Sequence, residues 1–371
     1  MIYYGRQSIN DDDITSVIEV LKSSHLTQGK QVEFFESAIS DLCTVKYAIS
    51  VNSGTAALHV ACLSLGLKPG DIVWTSPISF VASANCARYC GAQVDFVDID
   101  ISTGLMSVSA LEEKLIQAKK SNTLPKIVIP VHYSGQSCDM KAISILSKVY
   151  GFRVIEDACH ALGASYLNSC VGNCEYSDIS VFSFHPVKMI TTGEGGVAVT
   201  NSAKLSEKMS CFRSHGITPK QDVAPWFYEQ IGLGYNYRMP DINASLGLSQ
   251  SKRLPYFVSS RREIAARYIE KIDNPEVVCL SELGYGRSSY HIFPILLKSQ
   301  EKRMCLYNKF LDNGIKTQVH YIPIYKQPFY QDVKGRWPNS DMFYDRVLSL
   351  PIYIELECST QKNVIEIINS I

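Results

Sequence analysis

The residues able to do chemistry here are one lysine, one aspartate and one helix start. Lys188 lies in DISVFSFHPVKMITTGEGGVAVT (178–200), on a polar connection between two apolar stretches, 179–184 and 197–200. Hydroxyls at Ser183, Thr191 and Thr192 and glycines at 193, 195 and 196 surround it. An ammonium beside buried strands is costly to desolvate, so it snorkels, pairs or gives up its proton. A lysine that releases its proton easily attacks carbonyls and forms Schiff bases. Taken alone, the stretch also suits a solvated loop lysine.

Asp157 ends the apolar run in FRVIEDACHALGA (152–164), with His160 just beyond it, and His132 and Tyr133 end another, PKIVIPVHYSG (125–135). A carboxylate at the tip of a buried strand calls for a cationic partner, and none is adjacent in sequence. A turn or capping role is the alternative. In YAISVNSGTAALHVACLSLGL (47–67) a short strand ends at Asn52-Ser53-Gly54-Thr55 and a helix of good formers begins at once. Free amides, the helix dipole and two hydroxyls meet there, which suits a phosphate, although a plain Ser/Thr cap needs no ligand. The lysine of a Walker loop is missing. Finally, IGLGYNYRMPDINASLGLSQ (231–250) places Asn236, Tyr237 and Arg238 in a Gly-flanked loop. The helix that follows is predicted to be capped near Asp241 and to run past Arg262.

The elements that must position these groups alternate. Helices are predicted over 11–22, 32–43, 79–90, 106–120 and 139–151, the last capped by Asp139 and stopped by Gly151. Strands are predicted over 71–76, 92–100, 125–135 and 152–164. Continuous apolar strands between amphipathic helices mean an α/β fold, a mostly parallel sheet covered on both faces, with ligands at the carboxyl ends of its strands. Strands over 276–280, 288–298, 314–325 and 347–353, with helices near 300–312 and 360–370, describe a smaller α+β carboxyl-terminal domain. The expected division is a large domain over 1–245 and a small one over 246–371, as 371 residues exceed what one core usually holds.

Composition narrows the function. Lys plus Arg equals Asp plus Glu at 36 each, which argues against nucleic acid or an acidic membrane surface as the main partner. No apolar run approaches the roughly 20 residues of a membrane span. MIYYGRQSINDDD carries no basic-then-apolar signal, so a cytoplasmic protein is expected. The 12 cysteines are scattered through apolar segments without zinc-knuckle spacing, and read as reduced thiols with no structural metal.

A lysine, a carboxylate on a strand tip, a phosphate-binding helix start and an aromatic at Phe80 together meet the needs of pyridoxal 5'-phosphate. That cofactor takes an amine for its aldehyde, an anion against its ring nitrogen, a phosphate cup and a ring to stack on. With these residues in view, the chain resembles, end to end, the sugar-nucleotide aminotransferases of fold type I, the DegT/DnrJ/EryC1/StrS group. The matching stretches are NSGTAAL (52–58), PISFVASAN (77–85), EDACHALGA (156–164), SVFSFHPVKMITTGEGG (180–196), FRSHGI (212–217) and GYNYRMPDINASLGLSQ (234–250).

The resemblance implies that Lys188 is the Schiff-base lysine, that Asp157 pairs with the pyridine nitrogen and that Phe80 stacks on the ring. Gly54, Thr55 and Ser183 would hold the phosphate, and Asn236 would reach the phosphate of a neighbouring subunit, implying a homodimer with shared active sites. His160, which stands where much of the family has glutamine, would be a catalytic and cofactor-binding residue, contacting the cofactor oxygen or the substrate. A branch that dehydrates carries histidine in place of the lysine, so Lys188 implies transamination. Within the family, HLTQGK (25–30), SSYHIFPI (288–295) and QVHYIPIY (318–325) resemble the branch that aminates a UDP-linked 4-keto-6-deoxy-2-acetamido sugar for pseudaminic acid. This implies that Tyr4, His25, Leu26, Thr27, His185, His320 and Tyr321 touch the sugar nucleotide, some across the dimer, with glutamate as amino donor. A perosamine-type keto sugar is the alternative substrate, and a regulator that binds the cofactor without turnover is an alternative of another class.

Overall fold

A computed structural model describes residues 1–220 and 222–371. Two helices, α1 (Asp11–Leu21) and α2 (Lys30–Cys43), precede the sheet. Then come β1 (Tyr47–Val51), α3 (Gly54–Ser64), β2 (Ile72–Thr75), α4 (Ala82–Tyr89), β3 (Gln93–Phe96), α5 (Val108–Ser121), β4 (Ile127–Ile129), α6 (Met140–Tyr150) and β5 (Arg153–Asp157). A small excursion, β6 (Ser165–Tyr166) and β7 (Ser169–Cys170), leads to β8 (Ile179–Ser183), β9 (Gly196–Thr200) and α7 (Ala203–Arg213). The strands form a 7-stranded sheet in the order β1-β9-β8-β5-β4-β2-β3, with β9 antiparallel to both its neighbours and the other pairs parallel.

Alternating side chains send neighbouring residues to opposite faces, and both faces are covered. Ile179 and Val181 of β8 and Ala198 of β9 pack with Leu58 of α3, Ala87 of α4 and Met209 of α7. Phe182, Val197 and Val199 pack instead with Phe35 of α2, Leu115 of α5 and Ile143 of α6. The helix capped by Asp139 ends at Gly151 in the left-handed region, φ 81°, as the sequence indicated.

Beyond the sheet, β10 (Ile217–Pro219) and β11 (Tyr228–Gln230) form a hairpin, followed by α8 (Asp241–Ser251) and α9 (Leu254–Lys271). The single helix predicted from Asp241 past Arg262 is therefore two. Pro255, in the first turn of α9, has no amide to donate and its ring clashes with a preceding helical carbonyl, so the chain breaks at Lys252 and Arg253. Nor does Asp241 cap its own helix. It is the first residue of α8, and its carboxylate accepts from the amides of Gly29 (2.8 Å) and Gln31 (3.0 Å), capping α2 instead.

A second layer follows: β12 (Val277–Cys279), β13 (Gly286–Arg287), β14 (Phe293–Leu297), α10 (Gln300–Asp312), α11 (Pro338–Arg346), β15 (Val347–Leu350) and α12 (Cys358–Asn369). The antiparallel sheet β12-β14-β15 packs on α9, α10 and α12 through Tyr268, Phe310 and Ile368. The strand predicted over 314–325 does not form. It makes isolated bridges, Ile315 to Ile2 and Gln318 to Ser349, because Pro323 lacks a donor and residues 318–321 line a cavity. No described helix is long and apolar enough to cross a membrane.

Candidate active site

Four strand ends open onto one cavity of about 840 Å³, at the carboxyl edge of the parallel strands. β1 delivers Asn52 to Thr55, β5 delivers Asp157, β8 delivers Ser183, and the segment after β2 delivers Ser79 and Phe80. Ser53 caps α3, its Oγ accepting from the Ala56 amide at 3.1 Å. The amides of Gly54 and Thr55 have no partner within the helix, and this helix start lines the cavity, where it suits an anion. Gly54 is required by packing: a Cβ there would meet Ser183 Cβ at 2.8 Å. Gly196 is the matching contact from β9, since its Cβ would meet Ser53 O at 2.5 Å. Glycines thus let the helix start sit directly on the β8–β9 pair.

Lys188 leaves β8 on a tight turn, its amide bonded to His185 O at 2.9 Å. Its side chain enters the cavity, where burial lowers its pKa against the attraction of Cys159 and Asp157. Among the described residues lining the cavity it is the one lysine, and none is an arginine. Asp157, only 5% exposed, accepts from Ser83 Oγ at 2.5 Å and from the Cys159 amide at 3.2 Å. Beneath it lies a buried pair. His132 Nδ1 accepts from the Cys138 amide at 3.2 Å, so Nε2 carries the hydrogen and donates to Glu156 at 2.7 Å. Phe80 is 59% exposed, its ring free on the cavity wall.

Three histidines line the same cavity. His160 Nε2 and the Tyr321 hydroxyl are 3.0 Å apart, and His160 and His291 rings stand 4.4 Å centroid to centroid. His320 Nδ1 lies 2.9 Å from Ser349 Oγ, and Tyr4 packs edge-on against the His320 ring. Burial, with nearby Lys188, pushes His160 and His291 well below the usual histidine range and His320 to about 3, so all three are neutral near pH 7.

The structure therefore brings together Tyr4, Gly54, Thr55, Phe80, Asp157, His160, Ser183, His185, Lys188, His320 and Tyr321. It does not bring Asn236, His25, Leu26 or Thr27 to this cavity. Asn236 is exposed in a loop whose Tyr237 carbonyl accepts from the Asn52 amide at 2.8 Å. The exposed loop carrying His25 to Thr27 is pinned to the start of α8, where the Asp241 amide donates to Leu26 O at 3.0 Å. Among the polar lining residues, Ser79, Cys159, Glu194, His291 and Gln318 are not singled out by the sequence. Cys159 sits inside EDACHALGA but reads as one more scattered reduced thiol, and His291 falls within the predicted strand 288–298, where nothing local marks it as facing a cavity.

The DegT/DnrJ/EryC1/StrS aminotransferase family matches residues 7–369. The chain belongs to that family. It is 39% identical over 376 residues to a UDP-4-amino-4,6-dideoxy-N-acetyl-beta-L-altrosamine transaminase of Campylobacter jejuni, spanning 100% of this chain and 97% of the relative. A GDP-perosamine synthase of Escherichia coli O157:H7 is 35% identical over 96% of this chain and 93% of its own. Among solved structures, Helicobacter pylori PseC, an aminotransferase involved in pseudoaminic acid biosynthesis, superposes with a TM-score of 0.93 at 34% identity, covering 100% and 98% of the two chains. The pyridoxal phosphate form of a putative sugar aminotransferase of Streptococcus pneumoniae gives 0.90 at 26% identity, covering 99% and 97%. This aminotransferase works with pyridoxal phosphate, and its cavity fits that group. Unpaired helix-start amides suit the phosphate, a buried carboxylate suits the ring nitrogen, and an exposed aromatic face and a desolvated amine suit the ring and its aldehyde.

Proposed function

We propose that this aminotransferase replaces the C4 carbonyl oxygen of a UDP-linked 4-keto-6-deoxy-2-acetamido sugar with an amino group. The donor is an amino acid, glutamate by family custom, and the product serves a pseudaminic acid-type surface glycan made from the cytoplasm. The observation that carries the reading is Lys188, a desolvated lysine beside a buried aspartate in a cavity without another lysine or an arginine among its described residues. The end-to-end 39% identity to the Campylobacter enzyme supports the choice of sugar.

Bound pyridoxal phosphate supplies an aldehyde to carry the amino group and a ring that withdraws electrons. The protein does the rest. Gly54 and Thr55 amides and the Ser183 hydroxyl would hold the phosphate, Phe80 would cover a ring face, and Asp157 would pair with the ring nitrogen. Lys188 Nζ, whose pKa burial lowers, would take the proton from the donor's carbon and return one to C4 of the sugar. His160 and Tyr321, in contact with each other, share the cavity with Lys188, and Tyr4, His185 and His320, which also line it, would contact the sugar nucleotide. The test is turnover with UDP-linked 4-keto-2-acetamido-2,6-dideoxy sugars of both ring configurations and a GDP-linked 4-keto-6-deoxy sugar, with products identified by NMR. Preference for the GDP sugar would favour the perosamine-type reaction and overturn this choice.

The exposed Asn236 is assigned to the neighbour's phosphate in a homodimer. Refolding Lys188→Ala with Asn236→Ala chains should then yield heterodimers with one intact site of two, and activity near about a quarter of wild type on random pairing. Verified heterodimers without activity would place Asn236 in its own subunit.

A further inference from the structure

Asp157 does not stand alone at the tip of β5. Ser83, in the first turn of α4 and fully buried, places its Oγ 2.5 Å from Asp157 Oδ2. Ser79, also buried, places its Oγ 2.6 Å from Ser83 Oγ. A hydroxyl has one hydrogen, and Ser83 Oγ has three acceptors in reach, Asp157 Oδ2, Ser79 Oγ and Phe80 O at 3.3 Å. The closest, charged acceptor takes it. Ser79 must then donate to Ser83, and the pair is a polarised chain pointing at the carboxylate. A carboxylate's last torsion is broad and soft, so one amide from Cys159 on the other oxygen leaves its plane free to rock. The bond from Ser83 removes that freedom. The same segment carries Phe80, whose carbonyl accepts from the Ser83 amide at 3.2 Å, so the aromatic wall and the hydroxyl move as one piece.

We propose that Ser83, backed by Ser79, is a positioning residue for transamination, holding the Asp157 carboxylate in the plane in which it meets the cofactor's ring nitrogen. This rests on the reading that Asp157 serves the ring nitrogen. The experiment compares Ser83→Ala, Ser83→Thr, Ser79→Ala, Asp157→Asn and the Asp157→Asn/Ser83→Ala double variant. It measures kcat, KM for the nucleotide sugar, cofactor dissociation by fluorescence, and thermal unfolding of the cofactor-free protein.

Ser83→Ala should lower kcat on the order of ten- to a hundredfold, the range of hydrogen bonds to charged groups, and weaken cofactor binding. KM for the sugar should stay within about twofold, and cofactor-free unfolding should fall by no more than the loss of one buried hydrogen bond. Ser83→Thr keeps the hydroxyl and should restore most of the activity, and Ser79→Ala should cost less than Ser83→Ala. Because Ser83 acts through Asp157, its removal should add nothing once Asp157 is Asn. Full activity of Ser83→Ala beside a crippled Asp157→Asn overturns the inference and leaves Asp157 in place. Losses that add in the double variant also overturn it, since Ser83 then acts on structure alone. Near-normal turnover in Asp157→Asn overturns the assignment of Asp157 itself.

Discussion

The two walls of the cavity are held in different ways. The strand-tip wall, with Gly54, Asp157, Ser183 and Lys188, hangs on a continuous backbone ladder, and its side chains point where the ladder puts them. The opposite wall is a strap, residues 318–321, with almost no ladder. It is tied by side chains: the Tyr133 hydroxyl to His320 O at 2.5 Å, His320 to Ser349, and Tyr321 to His160. A backbone-built wall tolerates little change, whereas a wall tied by side chains can be reset by single substitutions. That division suits a common reaction on one side and a choice of sugar on the other.

Lys188→Ala is the severest break on the strand-tip side. The proposed role expects folded protein whose turnover falls by on the order of 10⁴-fold, the upper end for acid–base groups, and whose visible cofactor absorbance disappears. Retention of a borohydride-sensitive visible band in the variant would count against it. Acid tests both walls at once. His160, His291 and His320 are depressed in the folded protein, so unfolding takes up protons as pH falls below the unfolded histidine value of about 6.5. Stability should be fully present above that pH and fall toward pH 3, by up to about 1.4 kcal/mol per histidine per unit. A denaturation midpoint that stays flat between pH 7 and 5 would contradict the neutral cluster.

Gly54→Ala should cost about 1–3 kcal/mol, the usual penalty of an inserted methyl, because its Cβ lands on Ser183. Calorimetry should register the loss, and cofactor affinity should drop with it. Tyr133→Phe loosens only the strap. It should raise KM for the nucleotide sugar by about tenfold or less, as one hydrogen bond implies, with kcat near normal. A matching fall in kcat would mean that the strap also carries chemistry.

The same contrast governs what could be read in advance. Asp157, Ser183 and the Ser53 cap were legible because strand ends and helix starts are local patterns, fixed by period and cap chemistry. The strap was misjudged as a strand because QVHYIPIY has the right composition, and only the cavity beneath it decides that residues 318–321 turn inward. Asp241 was misassigned for a similar reason: its position marks a helix start, but which helix its carboxylate caps depends on a segment more than two hundred residues earlier. His291 gives no sign of its place, since nothing local says that its ring packs at a tilt against His160.

The Asp241 contact also bears on the order in which the chain can be completed during synthesis. The carboxylate that satisfies Gly29 and Gln31 leaves the ribosome long after they do, and the same holds nearby. Asp13 receives Gln250 Nε2 at 2.5 Å and Arg253 at 3.1 Å, and Ile2 bridges to Gly314 and Lys316. The first residues made are thus held by partners made late, and such distant closures are slow to form. α1 closes its own start with Asn10 and Asp13, but the start of α2 must stay solvated until the loop that ends in α8 has emerged to clasp it.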